Sequence, residues 1–86
     1  MEPVPPSWFK YRQGKVEMVN GQTCKLTAPN LPEVFLRIQQ EAEDKWSADL
    51  RLGAEEPVLA RSNVDLPNPI AAWEAAFELY RQHVVV

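Results

Sequence analysis

Turn-forming pairs cut this sequence into pieces of strand length, and that punctuation constrains the fold more than any other feature. Gln13-Gly14, Asn20-Gly21, the polar stretch from Gly53 to Glu56 and Asn68-Pro69 divide 86 residues into short apolar-patterned runs. No run reaches the roughly 20 apolar residues that span a bilayer, so no membrane segment is expected. A chain this short supports one core, and its 45% hydrophobic and 24% charged residues match an ordinary globular composition.

Prolines 3, 5 and 6 fix φ and remove amide donors, so residues 1–7 are expected to form an extended arm ahead of a single domain over residues 8–86. From Trp8 to Arg12 and from Lys15 to Val19 the residues alternate around Gln13-Gly14, which predicts a hairpin. A third strand, Gln22 to Thr27, follows a three-residue loop in which Gly21 takes the left-handed region. That register aligns Val16 with Cys24 and puts Leu26 on the same side.

Asn30-Leu31-Pro32-Glu33 has the form of a helix start, and Leu31, Val34, Phe35, Ile38 and Ala42 recur at helical spacing, with Leu36 outside the stripe. Trp46, Ala48, Leu50 and Leu52, then Val58, Ala60, Ser62 and Val64, alternate as a second hairpin. Asn68 as cap, Pro69 at the first helical position and the stripe Ile70, Trp73, Phe77, Tyr80 predict a closing helix, with Ala71, Ala72, Ala75 and Ala76 allowing close packing. The expected fold is α+β: a two-layer sandwich in the order β-β-β-α-β-β-α, with about five antiparallel strands and two helices on one face.

Catalysis finds little support. His83 is the only histidine and falls at a helix end, where its cation suits the exposed carbonyls. Cys24 is the only cysteine and reads as a packing residue. The absence of a second cysteine and of a signal-peptide pattern predicts a reducing, cytoplasmic setting. Gly14, Gly21 and Gly53 all sit in turns, so no phosphate loop is formed, and no cofactor or metal is expected.

Charge distribution carries the functional reading. The chain has 12 acidic against 9 basic residues, yet strict alternation places Trp8, Lys10, Arg12, Lys15, Lys25, Arg51 and Arg61 on the sheet face away from the helices, opposed only by Glu17 and Asp49. Trp8, Lys10, Arg12, Lys25, Arg51 and Arg61 are the expected partner-binding set. The expected function is a non-enzymatic adaptor or regulator that holds a protein partner. Single-stranded nucleic acid is the alternative ligand, disfavoured by the net charge of -3 and by the single aromatic on that face. A small enzyme subunit is the third reading. Homodimers are expected to form, if at all, through an edge strand or through the apolar tail Val84, Val85, Val86.

Overall fold

The computed structural model describes residues 3–53 and 55–85; Met1 and Glu2 of the expected arm, Ala54 of the expected loop and Val86 of the tail lie outside the described residues. Five antiparallel strands form one sheet in chain order: β1 (Lys15–Met18), β2 (Thr23–Thr27), β3 (Val34–Ala42), β4 (Lys45–Arg51) and β5 (Ala60–Arg61). A short helix α1 (Ser7–Tyr11) precedes the sheet, and α2 (Pro69–Tyr80) follows it and runs into a π-helical turn, Arg81–Val85. The class is α+β with a five-stranded sheet. The order of elements is α-β-β-β-β-β-α rather than the expected β-β-β-α-β-β-α.

Two segments exchange their expected roles. Residues 8–12 were expected to be a strand and are helical, because Gln13-Gly14 closes a helix instead of a hairpin. Gln13 has φ 59° and donates to the Lys10 carbonyl at 2.9 Å, while Gly14 donates to the Phe9 carbonyl at 3.0 Å. This pair of bonds is the Schellman ending. Gly14 is also packed beneath Phe9: a Cβ there would come within 2.4 Å of the ring.

The second exchange lies at residues 31–42, expected to be a helix and observed as β3. Asn30 has φ 65°, in the left-handed region, whereas a helix cap needs an extended backbone. With Pro29 before it and the Leu31 amide bonded to the Ala28 carbonyl at 3.2 Å, Asn30 occupies the third position of a type II-like turn. Pro32 then biases Leu31 toward extended geometry. Val34, Leu36 and Ile38 are buried at every second position. Leu36, the misfit of the helical reading, is fully buried.

Between β1 and β2 the face assignment holds but the register differs by two residues: Val16 pairs with Leu26 and Met18 with Cys24. A slip of two keeps each side chain on its own face. The turn is closed by Val19 and Asn20 amides on the Thr23 carbonyl and by the Asn20 side chain accepting from the Gln22 amide at 2.8 Å; Gly21 is not left-handed. The β4–β5 hairpin forms with Leu50 opposite Ala60 and Asp49 opposite Arg61, but β5 is short, and Leu52 and Val64 are exposed.

α2 forms as its cap and proline dictate: Asn68 is extended (φ -162°) and its side chain accepts from the Ala71 amide at 2.8 Å. Ala72 and Ala76, both fully buried, let the helix approach β3 and β4, and Trp73, Phe77 and Tyr80 fill the space beside them. Ile70, expected in the stripe, is 56% exposed. Phe9 brings α1 into the same core, with edge contacts at 5.6 Å to Phe77 and Tyr80. The arm ends one residue earlier than expected, since Ser7 already opens α1; Pro6 is extended (φ -67°, ψ 155°), and Pro3 is buried where the arm passes between Trp73 of α2 and Val16 and Met18 of β1. The tail also turns inward, with Val84 and Val85 half-buried against the chain's own core. Among the described residues, no helix is long and apolar enough to cross a membrane.

Candidate functional site

Alternation in β2, β3 and β4 sends Cys24, Leu26, Val34, Leu36, Ile38, Ala48 and Leu50 to the helix side and leaves the opposite face polar. The strand register arranges that face in rows. Glu17, Lys25, Phe35 and Arg51 are successive cross-strand partners from β1 to β4, and Thr23, Arg37, Asp49 and Arg61 form the next row from β2 to β5. Neither helix lies over these rows.

The six expected partner-binding residues divide evenly. Lys25, Arg51 and Arg61 stand on the outer face, as alternation requires. Trp8, Lys10 and Arg12 do not, because residues 8–11 are helical and α1 belongs to the core layer. Trp8 is half-buried and stacked on Tyr80, with ring centroids 6.1 Å apart and planes at 16°. Lys10 and Arg12 are exposed on the helix side of the molecule. Arg37 joins the face instead: the helical reading of 31–42 hid it, and the buried alternation around Leu36 was the signal that places it.

The cations on the outer face are unequal. Lys25 Nζ is 2.9 Å from Glu17 and 3.8 Å from Glu33. The hydrogen bond to Glu17 raises the Lys25 pKa first, and the two carboxylate charges add to that rise. Lys25 is therefore neutralised locally. Around Asp49 the balance is opposite. Arg37 donates to one carboxylate oxygen from Nη2 at 2.8 Å and from Nε at 3.2 Å, and Arg51 Nε stands 3.7 Å from the other oxygen. Arg61 is paired with Asp49 in the register and, among the described residues, has no carboxylate within ion-pair distance. Two guanidinium groups thus flank one carboxylate, and Arg61 adds a third cation to the same row. Asp49 is only 4% exposed, since its short side chain lies beneath the long stems of Arg37 and Arg51.

A shallow pocket of about 230 Å³ opens beside this cluster, with Phe35 and Val19 as its apolar wall and Thr23, Asn20, Arg37, Asp49 and Arg51 around it. An aromatic surface bounded by guanidinium groups suits an acidic side chain and its apolar neighbour.

The chain's reactive groups do not gather at this face. Cys24 is fully buried on the helix side, and desolvation pushes its thiol pKa to about 12 despite a hydrogen bond with the Leu36 backbone, so the nucleophilic thiolate is suppressed. His83 is exposed on the π-helical turn. Among the described residues no group of three or more His, Cys, Asp or Glu side chains could hold a metal ion. In comparison with known proteins, no family model matches this chain, and no curated protein or solved structure is significantly similar to it.

Proposed function

We propose that this protein is a non-enzymatic interaction module that holds an acidic segment of a protein partner against the outer face of its sheet. The observation that supports this reading is the Arg37–Arg51–Arg61 group: two cations on a single buried carboxylate and a third beside it in the ladder, on a face that neither helix covers, in a chain whose net charge is -3. A cationic patch on an acidic protein steers an anionic partner to one place and repels it elsewhere. Phe35 is the one aromatic of the β2–β4 rows, which favours an acidic peptide over single-stranded nucleic acid, where several stacking platforms are usual.

The test is fluorescence anisotropy with a short labelled Glu/Asp-rich peptide at low salt, beside a neutral peptide and a single-stranded oligonucleotide. Arg61→Glu, at an exposed position, is expected to weaken the acidic peptide several-fold, whereas Lys10→Glu on α1 changes the net charge equally and leaves binding near the unmodified level. Equal losses from the two variants would reduce the effect to overall charge. Tighter binding of the oligonucleotide would replace the protein-partner reading with a nucleic-acid one.

A further inference from the structure

The free edge of β1 has a charge pattern that matches its own reverse. β1 lies at one end of the sheet, and the Val19 amide bonds to the Thr23 carbonyl at 2.9 Å. Hydrogen-bonded pairs in an antiparallel ladder recur at every second residue, so Glu17 and Lys15 turn their backbone groups toward β2. Val16 and Met18 therefore turn theirs outward. Among the described residues no backbone bond from another segment meets them. The arm passes over the Val16 and Met18 side chains in the helix layer, and its prolines have no amide to offer the edge.

We infer that two copies of this chain join through β1 edge to edge, antiparallel about a two-fold axis at Val16, forming one ten-stranded sheet. A two-fold axis perpendicular to the sheet keeps both helix layers on one side, so only registers that pair like faces are available. Four such registers are centred in this strand; centring on Met18 sets Glu17 opposite the partner's Val19 and carries the pairing into the Asn20-Gly21 turn, which leaves three to compare. Centring on Glu17 sets two glutamates opposite each other, and centring on Lys15 sets two lysines opposite each other; like charges directly opposed destabilise a ladder. Centring on Val16 instead sets Lys15 opposite the partner's Glu17 and Glu17 opposite the partner's Lys15.

In that register the two Val16 residues exchange both of their outward backbone bonds, and the Met18 amide faces the carbonyl of the partner's Gly14. The amide of Gly14 is already committed to Phe9 within its own chain, so its carbonyl is the group left for the partner. The same alignment carries exposed Val19, which follows β1, toward the end of the partner's strand that exposed Tyr11 precedes (55% and 87% exposed). Lys15 is exposed and has no carboxylate within ion-pair distance among the described residues. The pairing residues Lys15, Val16 and Glu17 lie outside the pocket beside Arg37 and Arg51, which shares only Val19 with this surface, and the pairing does not rest on that site.

Sedimentation velocity over a range of concentrations, with the fold checked by circular dichroism, tests the pairing. Unmodified protein is expected to show a monomer–dimer equilibrium, and Lys15→Glu and Glu17→Lys are each expected to weaken it at least tenfold. An equimolar mixture of the two variants is expected to recover dimers, because each then meets opposite charges across the edge. Native hydrogen exchange supplies a backbone readout: the Val16 and Met18 amides gain protection as concentration rises. A chain that stays monomeric throughout, variants that dimerise like the unmodified protein, or a mixture that fails to recover dimers would each overturn the proposal.

Discussion

β3 and α2 start from nearly the same written pattern and end as different structures. Each follows an Asn with a proline close behind, and each places apolar residues three and four apart: Leu31, Val34, Phe35, Ile38 in one, Ile70, Trp73, Phe77, Tyr80 in the other. What separates them lies between the matching positions. α2 fills its gaps with Ala71, Ala72, Ala75 and Ala76, strong helix formers that also allow close approach. The first half of β3 is Val-Phe-Leu-Arg-Ile, β-branched and aromatic, with an apolar residue at the position a helix would turn to solvent. The residues that fail to fit a stripe discriminate better than those that fit it.

Cys24 gives the largest contrast, because it lies opposite Leu36 in the β2–β3 ladder. Its thiol pKa, pushed from 9.0 to about 12 by burial, lowers the reactive thiolate at pH 8 by roughly a thousandfold relative to an unfolded chain. Iodoacetamide should leave Cys24 unmodified in native buffer and alkylate it fully in denaturant, as read by mass spectrometry. The sign of the linked pH effect follows. The unfolded chain loses this proton near pH 9.0 and the folded one only near 12, so stability is intact below pH 9 and falls as pH rises through that window. Rapid native alkylation would mean that β3 does not cover Cys24.

Leu36→Ala comes next. A strand places Leu36 in the core, fully buried, whereas a helix over the same residues would leave it at the margin. Truncation is expected to cost about 2–5 kcal/mol in urea unfolding, a large share of what a domain of this size possesses. A loss below about 0.5 kcal/mol, typical of a surface site, would break the distinction between β3 and α2.

These same residues show how much of the molecule could be read in advance. Face assignments survived wherever the alternation was right: Cys24, Leu26, Ala48, Leu50 and Ala60 point to the core, and Lys25, Asp49, Arg51 and Arg61 away from it. The helix at 69–80 was legible because its cap, proline and stripe agree. The two exchanged segments were not, for a common reason: each hinges on one non-glycine residue at positive φ, Gln13 and Asn30. Local pattern ranks such residues as ordinary turn or cap formers, and only packing decides between the two, as Phe9 does by lying over Gly14. The five-strand total survived because the two errors offset each other. The first exchange moved Trp8, Lys10 and Arg12 off the outer face and the second hid Arg37, so half of the expected residues stand on that face and its Arg37–Asp49 ion pair was missed.

The two asparagines provide the smallest and most direct comparison. Asn68 is an extended cap whose side chain holds the Ala71 amide, and a serine there can hold the same amide, so Asn68→Ser should be neutral within about 0.5 kcal/mol. Asn30 serves through its backbone at φ 65°, a conformation that costs ordinary L-residues about 1–2 kcal/mol, so Asn30→Ser should lose about 1 kcal/mol. Glycine reverses the ranking. Asn30→Gly relieves the left-handed strain and should be neutral or slightly stabilising, while Asn68→Gly gives up the side-chain acceptor and loses a few tenths of a kcal/mol. The four variants, compared by thermal unfolding in one buffer, separate a residue kept for its side chain from one kept for its φ. Equal responses to serine at both positions would return Asn30 to the role of a helix cap and reopen the assignment of β3.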